Sequence, residues 1–151
     1  EIMSSDWSSD VCSSDLFYTR AMARPDAELA QSIASVTEGA LLVYLFGSVG
    51  TPYERPDSDL DVAVLYAAPL TFEQRVEVSA RIAEATGRTI DLVDLGSADP
   101  IIRRQVIATG TVVREDGRGV RARFEMRTLS EHHDLKIERR AAERELVERW
   151  P

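Results

Sequence analysis

Two aspartates flank a single leucine in the stretch FGSVGTPYERPDSDLDVAV, which covers residues 46–64. Asp59 and Asp61 stand at the start of an apolar run, where a strand is expected to enter a hydrophobic core. Side chains two residues apart in a strand project from the same face, with Cα atoms about 7 Å apart. Because like charges repel and burial raises the cost, the pattern predicts a cation site. Magnesium suits it, since one or two carboxylates together with substrate phosphates often hold this ion.

A third carboxylate is available in the next strand-like stretch, TIDLVDL, which contains Asp91 and Asp94. If this strand neighbours the first, one of the two can complete a cluster that holds two metal ions for an in-line displacement at phosphorus. Asp94 comes three residues after Asp91 and therefore points to the opposite face of the strand. We favour Asp91 as the third acid.

The Gly47-Ser48 pair ends the strand that precedes the aspartates. Glycine permits a tight turn, and serine adds a hydroxyl and a backbone N–H at a possible helix start, which suits polyphosphate oxygens. Pro52 and Pro56 restrict the following loop, so any helix after Ser48 is expected to be brief. Taken singly, these features also fit an ordinary turn beside a solvated acidic edge.

The elements around these residues alternate between helical and strand patterns, which predicts an α/β domain. Helices are predicted at 24–39, 71–87 and 99–110, and strands at 41–46, 59–66, 88–95 and, more briefly, 111–115. The region from about 120 to 150 is charged and predicted to be helical, with a break or bend near residues 130–134.

The predicted second helix has the clearest local signals. Thr71 is its expected N-cap. Phe72, Val76, Ser79 and Ala83 recur at helical spacing and form the expected apolar stripe of an amphipathic helix.

The first residues are unlike the rest of the chain. DWSSDVCSSDL, residues 6–16, resembles the translation of a common sequencing-library adapter over eleven consecutive residues. We interpret residues 1–16 as a non-native, disordered artefact tail, with Met22 as a candidate natural start. The alternative is a genuine Ser/Asp-rich disordered tail. The only cysteine, Cys12, lies in this tail, so no thiol chemistry is expected elsewhere.

The net charge of the chain limits the classes of partner that it is expected to bind. The chain carries a formal charge of −8, of which −4 remains once the four acids of residues 1–16 are set aside. An acidic surface gives no general attraction to nucleic acid or to anionic membranes, and it suits metal cations or a basic protein partner. No apolar run approaches the roughly 20 residues that span a bilayer, and no signal-peptide pattern is present, so we expect a cytoplasmic protein.

Together the motifs resemble a known family. Gly47-Ser48, ten intervening residues and Asp59-Leu60-Asp61 are similar to the signature of the DNA polymerase β-type nucleotidyltransferase superfamily. The spacing and the flanking LVYLFGS and DVAVL resemble its minimal nucleotidyltransferase (MNT) domains. RFEMRTLSEHHDLKIER resembles, less specifically, the closing helix of MntA-type antitoxins.

The resemblance implies a single-domain nucleotidyltransferase fold of the α/β class, with a mixed β-sheet flanked by helices. The catalytic core would occupy residues 17–119 and a C-terminal helical extension residues 120–151. Asp59, Asp61 and Asp91 would be the catalytic acids and the ligands of a two-Mg²⁺ site, with Asp91 helping to deprotonate the attacking hydroxyl.

The resemblance also implies a nucleotide site for ATP. Gly47 and Ser48 would hold its β- and γ-phosphates, with Arg55 and Ser58 as further contacts. MNT domains often contain Ala-Arg-Gly where this chain has Gly50-Thr51-Pro52. A basic phosphate contact is therefore missing unless Arg55 supplies it.

The implied function is that of an adenylyltransferase antitoxin, which transfers AMP to a tyrosine of a HEPN-type toxin. The implied partners are that toxin and a nucleoside triphosphate, with no membrane and no direct nucleic-acid contact. One alternative is a weakly active or inactive MNT domain that neutralises its toxin by binding. Another is transfer to a small molecule such as an aminoglycoside, although such enzymes usually carry a further substrate-binding domain. The Arg127-to-His132 spacing matches the Arg-x4-His pattern of HEPN ribonucleases, which we interpret as chance because that motif needs a four-helix bundle.

Overall fold

The structure, a computed structural model, describes residues 26–49 and 58–149. Its elements in chain order are α1 (Ala27–Val36), β1 (Leu42–Phe46), β2 (Leu60–Leu65), α2 (Phe72–Thr86), β3 (Ile90–Asp94), α3 (Pro100–Thr109), β4 (Thr111–Glu115) and α4 (Val120–Arg149). Each helix and strand predicted between residues 26 and 115 is present, with ends shifted by a few residues.

The four strands form one mixed sheet in the order β3-β2-β1-β4. Strand β1 runs antiparallel to β2 and to β4, whereas β2 and β3 run parallel. The end of β1 and the starts of β2 and β3 therefore meet at one edge of the sheet. This arrangement brings the Gly47-Ser48 turn, Asp59, Asp61 and Asp91 to the same place in the fold.

Alternating side chains build a hydrophobic core on each face of the sheet. On one face, Leu60, Val62 and Val64 pack with residues of α1 and α2, including Ile33 and Ile82. The opposite face is covered by α3 and α4, and its core consists of Leu42, Tyr44, Ala63, Leu95 and Val106. Asp61 shares this second face with Ala63, because residues two apart in a strand point the same way.

The N-terminus of α2 forms as predicted, but its apolar stripe does not. The Thr71 side chain accepts the Gln74 N–H and the Gln74 side chain accepts the Thr71 N–H, which is a capping box. The expected stripe is wrong, since Phe72 and Val76 are 74% and 53% exposed. Val78 and Ile82, on a neighbouring stripe, enter the core instead.

Helix α4 is continuous from Val120 to Arg149, so the expected break near residues 130–134 is wrong. No proline or glycine occurs in the helix, and Ser, His and Asp cost only about 0.5 kcal/mol each relative to alanine. Glu131, inside the expected break, accepts from Arg127 at 2.7 Å and from Arg103 of α3 at 2.9 Å. These ion pairs span the segment and tie it to the neighbouring helix.

A polar contact holds the start of α4 on the sheet. The buried Tyr44 hydroxyl of β1 donates to Glu125 at 3.0 Å, and Arg121 donates to the same carboxylate at 2.7 Å. Burial, and then the negative charge of Glu125, raises the pKa of Tyr44 well above its usual range.

Within residues 26–49 and 58–149, none of the helices is long and apolar enough to cross a membrane.

Candidate active site

Asp61 and Asp91 lie side by side on neighbouring strands. They are direct register partners in the parallel β2–β3 pair, so their side chains leave the same face of the sheet. Asp61 is partly buried and Asp91 is exposed. The structure thus brings together the two acids that sequence spacing alone could only assign to separate strands.

Asp59 lies just before β2 and is held from the start of β3. Its Oδ1 atom accepts a hydrogen bond from the Thr89 hydroxyl. The Leu60 N–H donates to the Thr89 carbonyl at 2.8 Å, which continues the parallel ladder to this position. Asp59 therefore faces Thr89 in the same way that Asp61 faces Asp91, one step further into the sheet.

Gly47 closes over Asp61 from the end of β1. Its φ of +79° belongs to the left-handed region that favours glycine. A β-carbon at this position would overlap Asp61 Oδ2 and lie 2.7 Å from Asp61 Cγ, closer than real β-carbons approach other atoms. The glycine thus serves both the turn and the space that the Asp61 carboxylate occupies.

Asp94, the alternative third acid, is committed elsewhere. It is buried on the α1/α2 side of the sheet and accepts from the Leu70 N–H at 3.0 Å, the Gly96 N–H at 2.9 Å and the Ser97 hydroxyl at 2.9 Å. These bonds connect the end of β3 to the segment before α2. The preference for Asp91, based on the two-residue period of a strand, agrees with this geometry.

The electrostatics of the site favour a cation. Burial and the negative charges of Asp91 and then Asp59 raise the pKa of Asp61 above its ordinary value. Among the described residues, no group of three or more His, Cys, Asp or Glu side chains is arranged so that it could hold a metal ion. Magnesium is often bound by one or two carboxylates, with its other ligands coming from waters and substrate phosphates. The carboxylate chemistry of Asp59, Asp61 and Asp91 suits such a shared site, in which the nucleotide supplies the remaining oxygens.

Of the predicted nucleotide-binding residues, the structure describes some and leaves others outside the described ranges. Ser48 follows Gly47 in the turn after β1. Ser58 accepts hydrogen bonds from Arg88 Nη2 through its carbonyl oxygen at 2.7 Å and its hydroxyl at 3.2 Å. Arg55 and the Gly50-Thr51-Pro52 stretch lie outside the described residues, as do residues 1–16 and Met22.

Sequence reasoning missed Arg88 and Thr89, the two residues that contact Ser58 and Asp59. The available signal was positional, since Arg-Thr stands directly before the strand that contains Asp91. Predicting these contacts required the knowledge that β2 and β3 pair in parallel and in which register. The sequence alone did not supply this.

A family model and a curated relative each match more than half of the chain. A family model described as polymerase beta, nucleotidyltransferase, matches residues 28–118. Over 103 aligned residues the chain is 35% identical to the protein adenylyltransferase MntA of Shewanella oneidensis. The alignment covers 66% of this chain and 71% of that relative.

Solved structures agree with the sequence match. A crystal structure of a toxin–antitoxin with AMP-PNP superposes with a TM-score of 0.66 and 29% identity, covering 80% of this chain and 96% of the other. A complex of tri-AMPylated Shewanella oneidensis HEPN toxin with MNT antitoxin gives a TM-score of 0.61 and 29% identity, and again covers 80% of this chain and 96% of the other. The same fold is therefore found in a protein crystallised with a nucleotide analogue and in one crystallised with an AMPylated partner.

Proposed function

Because this chain belongs to the polymerase β nucleotidyltransferase family, we propose that it transfers AMP from ATP to a tyrosine of a HEPN-type toxin and thereby silences the toxin. The observation that carries the proposal is the register of Asp61 with Asp91, beneath the glycine of the Gly47-Ser48 turn. The resemblance to an adenylyltransferase and to a complex with an AMPylated toxin supports the choice of reaction and acceptor.

The three acids divide the chemistry. Asp59 and Asp61, with Asp91, would hold magnesium, which when bound supplies positive charge against the phosphates and lowers the pKa of the attacking hydroxyl. Asp91 is the exposed member of the pair and accepts the proton of the incoming tyrosine. The tyrosine oxygen attacks the α-phosphorus, and the bond between the α-phosphorus and the oxygen that bridges it to the β-phosphate breaks. The β- and γ-phosphates leave together as pyrophosphate.

The turn after β1 positions the triphosphate. The left-handed Gly47 lets the chain reverse directly above Asp61, and the Gly47 and Ser48 N–H groups with the Ser48 hydroxyl contact the β- and γ-phosphates. Arg55 supplies the basic contact that the Gly50-Thr51-Pro52 sequence lacks. Most of the rate enhancement comes from this positioning and from charge neutralisation.

The acceptor is a protein rather than a nucleic acid. Once the four acids of residues 1–16 are set aside, the formal charge is −4, which repels phosphate backbones and attracts a basic surface. We assign catalysis to a core of residues 17–119 and treat residues 120–151 as a C-terminal helical extension.

The test uses the product of the adjacent gene as the candidate toxin, with ATP labelled on either the α- or the γ-phosphate. Label from the α-phosphate should appear on a toxin tyrosine, and label from the γ-phosphate should not. Incorporation of the γ-label would indicate phosphorylation and would contradict the proposal. Absence of both labels would contradict it as well.

A further inference from the structure

We propose that Arg88 and Thr89 form a positioning clamp that fixes Ser58 and Asp59 for metal binding. The inference rests on the proposed function, because it assumes that Asp59 binds the metal of a nucleotide site. Neither residue belongs to the Gly-Ser and Asp-x-Asp motif or contributes a carboxylate. Their contribution comes from the hydrogen bonds that they make across the β2–β3 pair.

Four hydrogen bonds define the clamp. The Thr89 hydroxyl donates to Asp59 Oδ1, and the Thr89 carbonyl accepts the Leu60 N–H at 2.8 Å. Arg88 Nη2 donates to the Ser58 carbonyl at 2.7 Å and to the Ser58 hydroxyl at 3.2 Å. The two residues directly before β3 thus hold the two residues directly before β2 and the first residue of that strand.

The site needs such a clamp at Asp59 because this residue lies before β2, and the strand ladder reaches only its neighbour, through the Leu60 N–H. Asp61 lies inside β2, where its backbone is fixed by β1 and β3, with Phe46 and Asp91 as register partners. Asp59 precedes the first residue of β2 and is exposed. Its preceding residues 50–57 contain two prolines, which cannot donate backbone hydrogen bonds. The Thr89 and Arg88 bonds supply the restraint at the junction between this loop and the strand.

A hydroxyl that donates to one carboxylate oxygen leaves the other oxygen to bind a metal. Such outer contacts orient ligating carboxylates, and their loss typically weakens metal affinity by about 10- to 100-fold. Thr89 is exposed, so removing its hydroxyl leaves no buried group unsatisfied and should not affect the folded core. A change in metal affinity without a change in stability is therefore the expected signature.

The experiment measures binding of Mn²⁺ by the full chain with AMP-PNP, from the paramagnetic resonance signal of free Mn²⁺. Thr89→Val, which keeps the shape and removes the donor, should raise the Mn²⁺ dissociation constant by about tenfold. Thr89→Ser, which restores the hydroxyl, should stay within about twofold of wild type. Arg88→Met, which keeps the aliphatic stem, should weaken binding in the same direction.

Two controls separate positioning from general damage. Thr109→Val removes another threonine hydroxyl, which donates to the Gln105 carbonyl within α3, and should leave Mn²⁺ binding unchanged. In an Asp59→Asn background, Thr89→Val should cause no additional loss, because its effect acts through the Asp59 carboxylate.

The outcomes are distinct. If wild type binds Mn²⁺ and Thr89→Val binds it equally well, the clamp is wrong while the proposed function stands. If Thr89→Ser loses as much affinity as Thr89→Val, the hydroxyl is not the active group and the clamp is also wrong. If wild type binds no Mn²⁺ with AMP-PNP, the proposed nucleotide site fails, and the clamp fails with it.

Discussion

Gly47 and Asp61 occupy a space that has no room for a second side chain. A β-carbon at position 47 would lie 2.7 Å from Asp61 Cγ, at the root of a short side chain that can yield only by turning its carboxylate away. The first residue of the turn after β1 therefore determines where the central carboxylate of the site can point.

Gly47→Ala should reduce AMP transfer by about 100-fold, because even a displacement of about 1 Å at a reacting centre costs this much. Some loss of stability, about 1–2 kcal/mol, should accompany it from the left-handed backbone. Gly39→Ala is the matched control, since Gly39 has the same φ of +79° and its β-carbon would meet only Tyr66 Cε1 at 3.8 Å. Equal loss of transfer in both variants would assign the effect to backbone strain instead of Asp61.

Asp91 and Asp94 should separate activity from stability. Asp91→Asn should abolish transfer and leave the free energy of unfolding nearly unchanged, because the side chain is exposed. Asp94→Ala should lower that free energy by about 2–3 kcal/mol, since its buried carboxylate accepts bonds from Leu70, Gly96 and Ser97. Transfer assays and urea unfolding of both variants check this, and an active but destabilised Asp91→Asn together with a stable but inactive Asp94→Ala would reverse the assignment.

Tyr44 should make the fold sensitive to alkali. Its raised pKa means that the folded state keeps the hydroxyl proton at a pH where the unfolded chain has lost it. The associated stability is complete below the ordinary tyrosine pKa of about 10 and is lost as the pH rises above it. Urea unfolding near neutral pH and above about pH 10 measures this loss, which Tyr44→Phe should reduce.

Near neutral pH, Tyr44→Phe should cost about 1 kcal/mol through the lost bond to Glu125. Tyr66→Phe provides the comparison, because the buried Tyr66 hydroxyl has no hydrogen-bond partner among the described residues. Its removal should be neutral or stabilising. A larger loss for Tyr66→Phe than for Tyr44→Phe would contradict the role given to the Glu125 contact.

Residues 1–16 should have no part in folding or activity. A chain that begins at Met22 should keep its melting temperature within about 2 °C, since terminal segments without packing contribute little. Thermal unfolding of the two chains gives the answer, and a large drop on truncation would show that the interpretation as an adapter translation is wrong.

The sequence predicted the parts of the fold that local chemistry determines. Thr71 and Gln74 specify the start of α2 within four residues, and the two-residue period of strands placed Asp59 and Asp61 on one face opposite Leu60 and Val62. The same period separated Asp91 from Asp94. Each of these inferences depends on neighbours in the chain and required no knowledge of what packs nearby.

The errors concern relationships between distant segments. Phe72 and Val76 are as apolar as Val78 and Ile82, and only the position of the sheet decides which stripe of α2 is buried. Glu131 meets Arg103 across 28 residues of sequence, a contact that supports α4 where a break was expected. The clamp at Arg88 and Thr89 likewise depends on the β2–β3 register.

The central claim is that the Asp61 carboxylate catalyses AMP transfer to a toxin tyrosine and that this transfer silences the toxin. The most direct measurement mixes the chain, ATP and Mg²⁺ with the product of the adjacent gene as the candidate toxin, then records the intact mass of that toxin and its remaining activity. Wild type should add one or more AMP units and silence the toxin, whereas Asp61→Asn, which stays folded because it only removes a repelling charge, should do neither. A toxin silenced equally by both proteins without any change in mass would contradict the claim and identify an antitoxin that acts by binding.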